Sequence, residues 1–206
     1  MSSSNPVTGI TKFKNLYAQQ HNNAFGVFEQ FLSAVKPARI LEIGTAGGGF
    51  TLFLREKLNE LGLKDSMIIS FDINDAEQYD KVLRPLNNLD IYILNIFDAT
   101  YKNIVYAEMI RSYIGQDGLT LVLCDGGNKI SEFRILSGLL KPGDIIMAHD
   151  YIDTIENFND NFRDKIWNWR EIGYEHISDV CKENNLAPFF KEDMAKVVWA
   201  CYRKNS

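Results

Sequence analysis

The segment that most constrains this chain runs from Arg39 to Gly49. An apolar β-type run, Ile40-Leu41-Glu42-Ile43, enters the glycine-rich turn Gly44-Thr45-Ala46-Gly47-Gly48-Gly49, and a helical pattern follows from Phe50 to Arg55. Strand, glycine turn and helix together bring backbone N–H groups and a helix N-terminus up to a ligand, so the turn suits a nucleoside-containing cofactor. Glu42 is the odd residue of the strand. An unpaired buried carboxylate is costly, so Glu42 must either face a polar cleft or have donors arranged around it.

Periodicity orders the rest of the chain. Residues 10–35 read as helix in one or two pieces, with Phe25, Phe28, Phe31 and Leu32 on one apolar face. The polar and aromatic stretch Tyr17 to Asn23 either reaches over a neighbouring cleft or is a solvated connection. Lys36-Pro37 hands over to the first strand. Further strands are expected at Met67–Phe71, Ile91–Leu94, Leu119–Cys124 and Asp144–Ala148. Helices are expected at 50–61, 75–85, 100–114, 131–140 and 157–171. Apolar strands alternating with helices predict an α/β fold whose parallel sheet is covered on both faces. The tail departs from this alternation: Tyr174–Cys181 and Lys196–Arg203 read as an antiparallel strand pair closing the sheet. The reading is therefore a helical extension over 1–35 and one domain over 36–206.

Acidic residues close four of the five parallel strands, as Glu42, Asp72, Asp125 and the pair His149-Asp150, and Asp98 follows the remaining one. One such residue is an ordinary helix cap, but acids after every strand are harder to explain by capping. Ligands of open α/β sheets bind at the carboxyl ends of strands, and Asp72 stands where a carboxylate accepts from ribose hydroxyls. Asp98 reads equally as an adenine contact or a cap.

At 206 residues, with 46% apolar and 24% charged residues, the chain can bury a substantial core. A formal charge of −5 disfavours nucleic acid as the main partner. Cys124, Cys181 and Cys201 show no metal-binding spacing and read as reduced thiols. No apolar run is long enough to span a membrane, and no signal peptide is visible. A cytoplasmic protein with a small-molecule acceptor and no nucleic-acid or membrane partner is expected, and a homodimer is open.

Glu42 to Gly48 resembles the E-x-G-x-x-x-G first motif of class I S-adenosylmethionine-dependent methyltransferases, and Phe71-Asp72-Ile73-Asn74 is similar to their acidic second motif. The antiparallel end of the sheet agrees, and the resemblance spans about residues 36–203. Glu42–Phe53 and Asp125–Tyr151 look more narrowly like cation-dependent small-molecule O-methyltransferases, in particular the cephalosporin hydroxylase and rhamnosyl O-methyltransferase group. The resemblance implies a seven-stranded Rossmann-like sheet and S-adenosylmethionine held by Glu42, Gly44, Thr45, Ala46, Gly48, Thr51, Asp72, Ile73, Asp98 and Asp125. It also implies Mg²⁺ or Mn²⁺ on Asp125, His149 and Asp150. Carboxylates suit Mg²⁺, whereas His149 departs from the family's pattern and shifts preference towards softer ions or serves as a base. The alternative is that Asp125 and Asp150 only organise loops. Phe50 stands where the family has a small hydroxyl residue, with Thr51 or the amides of 47–50 as substitutes. Lys129, one residue off the family's lysine position, is a candidate base or a surface lysine.

The implied reaction is methyl transfer to a hydroxyl oxygen, with Asp125, Lys129 and His149 as catalytic candidates. Acceptor choice is expected from segments 10–23, 152–162 and 182–195, where Leu186 to Phe190 forms a lid or a dimer contact. Rivals are a non-catalytic S-adenosylmethionine-binding member of the fold, an NAD-binding oxidoreductase lacking a proper G-x-G-x-x-G, and a metal-dependent hydrolase that leaves the glycine turn unexplained.

Overall fold

The computed structural model describes residues 11–97 and 102–206. Its main sheet has seven strands: β3 (Arg39–Ile43), β4 (Met67–Asp72), β5 (Leu89–Ile93), β6 (Thr120–Cys124), β7 (Ile145–Ala148), β8 (Leu186–Pro188) and β9 (Ala200–Lys204). They lie in the order β5-β4-β3-β6-β7-β9-β8. The first five are mutually parallel, and β9 runs antiparallel to both β7 and β8. The chain moves outward from β3 to β5 and then returns to β6 on the other side of β3. Strand order therefore reverses between β3 and β6, which is where such sheets open a crevice at their carboxyl ends.

Both faces of the sheet are covered, because alternate residues of each central strand point opposite ways. Ile40, Leu121, Leu123, Ile145 and Met147 join one apolar layer with Phe28, Phe31 and Leu32 of α1 (Ala24–Val35) and Leu54 and Leu58 of α2 (Gly49–Glu60). Leu41, Ile43, Val122, Ile146 and Ala148 join the other with α3 (Ala107–Gly115), α4 (Lys129–Ser137) and α6 (Tyr174–Glu183). The five expected parallel strands and the antiparallel close are present. All three cysteines are buried free thiols.

Five expectations fail. Residues 10–35 are not helical throughout: β1 (Lys12–Phe13) and β2 (Leu16–Tyr17) form a small hairpin, with Lys14 at φ 52°, and the helix begins only at Ala24. Tyr174–Cys181 is helix, not strand. Ile177, Val180 and Cys181 are buried at helical spacing, and the His176 Nδ1 accepts from the Gly173 amide at the helix start. The strand that pairs with β9 is Leu186–Pro188, so this stretch is a sheet edge, and Phe189 and Phe190 pack on Phe31 instead of forming a lid. The helix expected at 157–171 is reduced to α5 (Ile155–Asn157) and a π-type turn at Phe158–Phe162. Asp164 at φ 59° then redirects the chain into a loop pinned to the site below. The expected helix at 100–114 starts at Ala107.

Candidate active site

A cavity of about 780 Å³ lies at the carboxyl ends of β3, β4, β5, β6 and β7. Its wall includes Gly44, Ala46, Asp72, Ile73, Asp125, Lys129, His149 and Asp150 of the residues singled out in the sequence. Glu42, Thr45, Gly48 and Thr51 do not line it, and Asp98 lies outside the described residues.

One side of the cavity is the glycine turn. Gly44 has φ 95°, and a β-carbon there would overlap the Asp125 carbonyl oxygen, so only glycine lets the turn pass this close to the end of β6. Gly47 is needed for a different reason: a side chain would strike the backbone of Tyr17, because the β1–β2 hairpin lies across the turn. Asp72 accepts from the Ala46 amide at 2.7 Å and from the Asn74 amide at 2.9 Å, tying the first turn to the second. Beyond Asp72 the wall is mostly apolar, with Phe71, Ile73, Leu94, Ile96 and Phe97 beside Asn74 and Asn95.

Glu42 meets the second of its two possibilities. Its Oε2 accepts from Thr51 Oγ1 at 2.7 Å and Ser70 Oγ at 2.6 Å, and Thr45 bonds the same Ser70 hydroxyl. Full burial raises the Glu42 pKa to about 7, against the pull of the two hydroxyl donors. Thr51 thus serves Glu42 behind the turn and is not a cavity residue. Phe50, where a small hydroxyl residue was expected, is core: it stacks on Trp199 with ring centroids 5.8 Å apart and meets Phe28 edge-on at 4.9 Å.

The opposite side carries the charge. Asp125 Oδ1 lies 2.9 Å from His149 Nδ1, and Asp150 Oδ2 lies 3.8 Å from the same nitrogen. Asp150 takes φ 54°, a conformation Asp tolerates better than most residues. Its Oδ1 accepts from the Trp167 indole at 2.7 Å, and its carbonyl from the Glu171 amide at 3.0 Å, which anchors the 164–172 loop. The Lys129 ammonium, at the start of α4, donates to Glu171 Oε2 at 2.7 Å and the Gly126 carbonyl at 3.0 Å. It also lies 3.2 Å from Asp150 Oδ2 and 3.9 Å from Asp125 Oδ1. Burial works to depress the lysine, but the three carboxylates outweigh it and hold its pKa above the usual value. The same contest raises His149, where Asp125 and Asp150 overcome desolvation. Burial would raise Asp150, yet the neighbouring His149 and Lys129 bring it below the usual carboxylate value.

Several site residues escaped the sequence reading. Trp167, Trp169 and Glu171 line the cavity from the loop mistaken for a helix, whereas no residue of 152–162 or 182–195 does so. Glu132 accepts from the Gly126 and Asn128 amides and fixes the glycine loop after β6; burial raises its pKa to about 7. Gln19 reaches the cavity, and Gln20 donates to Asp125 Oδ2 at 2.8 Å. These two belong to the Tyr17–Asn23 stretch, which reaches the cleft as one of its two sequence readings had it.

Sheet order, the antiparallel β9 and a crevice at the glycine turn define the class I S-adenosylmethionine-dependent methyltransferase fold. Residues 18–186 match the FtsJ-like methyltransferase family, to which the chain belongs. Among solved structures, the apo form of CmcI-N160 aligns with a TM-score of 0.66 at 14% identity, over 95% of this chain and 76% of that one. A structure described as cmcI-D160 Mg-SAM aligns at 0.60 and 13%, over 95% and 77%. A putative caffeoyl-CoA O-methyltransferase from Staphylococcus aureus aligns at 0.55 and 13%, over 88% and 83%. At these identities the similarity is one of fold. A search of curated proteins gave no significant match.

Proposed function

We propose that this protein transfers the methyl group of S-adenosylmethionine to a hydroxyl oxygen of a small molecule, assisted by a divalent cation. The observation that carries the reading is that one cavity unites two halves of different character: the glycine turn with Asp72 and its apolar wall, and the Asp125–His149–Asp150 cluster. The family supplies the methyltransferase class. The fold neighbours include a structure named with Mg and SAM and one named as a putative O-methyltransferase, which favours an oxygen acceptor and a metal.

The residues fit both groups. The Gly44–Gly47 turn and Asp72 present polar backbone and a carboxylate to a nucleoside, and Ile73, Leu94, Ile96 and Phe97 offer an apolar slot for its base. Asp125, His149 and Asp150 offer one atom each, all within 4.8 Å of one another, and two carboxylates with one imidazole suit Mn²⁺ better than Mg²⁺, which prefers oxygen ligands. When bound there, the sulfonium supplies an electrophilic methyl, and the cation lowers the pKa of an acceptor hydroxyl. The protein's own residues do the remainder. Lys129, kept protonated by its carboxylate neighbours, is a poor proton acceptor in this arrangement and acts as a fixed positive charge beside the developing oxyanion. His149 faces Asp125 through Nδ1, and Asp125 and Asp150 favour its protonated form in the same way, so it too holds its proton beside the hydroxyl while no ion occupies the cluster. Trp167 and Trp169 shape the acceptor side and exclude water. Were the cofactor bound, formation of the O–CH₃ bond would break the S–CH₃ bond and leave a neutral thioether, and the hydroxyl proton would pass to solvent.

Calorimetric titration with S-adenosylmethionine, with and without Mn²⁺, tests the reading. Micromolar cofactor binding is expected, together with Mn²⁺ binding that Asp125→Asn weakens at least tenfold while leaving cofactor affinity within about threefold. Absence of cofactor binding at millimolar concentration refutes the cofactor assignment, and Mn²⁺ affinity unchanged in Asp125→Asn refutes the metal site.

A further inference from the structure

Gln20 belongs to the N-terminal strap, outside the main sheet whose strand ends form the cavity, yet it is fully buried against the site. Its side-chain oxygen accepts from the Trp199 indole Nε1 at 2.8 Å. An indole N–H only donates, so this contact fixes which way round the amide sits, and the amide nitrogen must face the other way. There it donates to Asp125 Oδ2 at 2.8 Å. Asp125 is thereby split between two partners: Oδ2 is held by Gln20, and Oδ1 points at His149 Nδ1, 2.9 Å away. Trp199 is itself immobilised, stacked on Phe50 and lying 4.9 Å from the His149 ring. The strap is anchored independently of the site, by the Gln20 backbone N–H on Thr11 Oγ1 at 3.1 Å and the Ala18 backbone N–H on the Thr11 carbonyl at 2.9 Å.

We infer that Gln20 is a positioning residue: with its amide locked by Trp199, it fixes the Asp125 carboxylate so that one oxygen alone is presented to the His149–Asp150 cluster. Burying a Gln side chain costs rotamer entropy and desolvation, and both of its polar ends are used here, one on a rigid donor and one on the carboxylate. The alternative fate of Asp125 is visible in the structure, since the Lys129 ammonium waits 3.9 Å from Oδ1 and would draw a released carboxylate towards it.

The metal arm of the test rests on the proposed function; the structural arm does not. Gln20→Met keeps the length of the side chain and removes both hydrogen bonds. Gln20→Glu keeps an acceptor for Trp199 but sets an oxygen where the donor to Asp125 was. Crystal structures of both variants are expected to show the Asp125 carboxylate turned, with Oδ1 more than about 3.5 Å from His149 Nδ1, beyond hydrogen-bond range. Mn²⁺ affinity of Gln20→Met, by calorimetry, is expected to fall about tenfold or more, the usual loss when a ligand's outer support is removed. S-adenosylmethionine affinity should stay within about threefold. If Gln20 only anchors the strap to Trp199, Gln20→Glu leaves Asp125 in place, and that result overturns the inference. An unmoved Asp125 in Gln20→Met overturns it equally. If the parent protein binds no Mn²⁺, the metal reading fails, while the Asp125 geometry in either variant still decides the role of Gln20.

Discussion

Glu42 turns a buried hydrogen-bond network into a measurable pH dependence. Its carboxyl is fully enclosed, and its pKa rises from 4.5 to about 7 because burial penalises the charged form more than Thr51 and Ser70 stabilise it. The folded protein therefore binds this proton more tightly than the unfolded chain does. Below about pH 4.5 both states are protonated and Glu42 makes no difference; between about 4.5 and 7 stability falls as pH rises; above that the loss is complete and flat. A shift of this size is worth on the order of 3 kcal/mol. For a chain of this length that corresponds to about 6–12 °C in Tm. Glu42→Gln removes the ionisation while keeping an oxygen for both hydroxyls. Urea unfolding of the protein, without cofactor or metal, at half-unit steps from pH 4.5 to 8.5 should show the stability difference between variant and parent growing in the variant's favour by roughly 3 kcal/mol. An amide N–H left without a partner would lower the variant's stability by a constant amount at every pH, so the test is the slope and not the level. Glu132, whose pKa is also raised to about 7 by burial, remains in both proteins and cancels. Parallel stability curves for parent and Glu42→Gln would refute the assignment of a buried, reluctant carboxylate.

Two further substitutions probe how the halves of the site are joined. Gly44→Ala forces a side chain at φ 95° into the Asp125 carbonyl; strain and overpacking together should cost roughly 2–5 kcal/mol, read as a lower Tm, and weaken S-adenosylmethionine binding, whereas an unchanged Tm would contradict the close approach. Lys129→Met removes the cation among Asp125, Asp150 and Glu171 and should destabilise the apo protein by about 3–5 kcal/mol. Mn²⁺ should restore more Tm to Lys129→Met than it adds to the parent, and equal gains would exclude a shared charge role.

Much of the frame was legible because its signals are local. Each parallel strand is a short apolar run bounded by turn residues, and the glycine turn and the acids that end the strands announce the crevice. Where tertiary contact overrides local pattern, the sequence reading failed. Tyr174–Cys181 carries the strand formers Tyr174, Ile177 and Val180, yet the burial of Ile177, Val180 and Cys181 follows the helical period. The 157–171 stretch has helix-like apolar spacing, but the bond from Trp167 to Asp150 and the left-handed Asp164 pull it into a loop. Gln20 and Trp199 are 179 residues apart and meet only in the folded core; no spacing rule connects them.

The glycines of the turn also acquire a more exact meaning. A glycine-rich loop after the first strand is ordinarily explained by the ligand's need for bare backbone, but here two glycines are required by the protein itself. Gly44 makes room for the end of β6, and Gly47 for the strap. The Asp125 whose backbone crowds Gly44 has its side chain held by Gln20, and Gln20 follows the Tyr17 that crowds Gly47 within three residues. Turn, strap and Asp125 thus form a closed loop of contacts in which each fixes the next. The half of the cavity suited to the cofactor and the half bearing charge are consequently not two sites that happen to adjoin. A side chain added at Gly47 must displace the strap, and with it Gln20, and one added at Gly44 must displace the backbone of Asp125, so damage to the first half is transmitted to the second through named atoms.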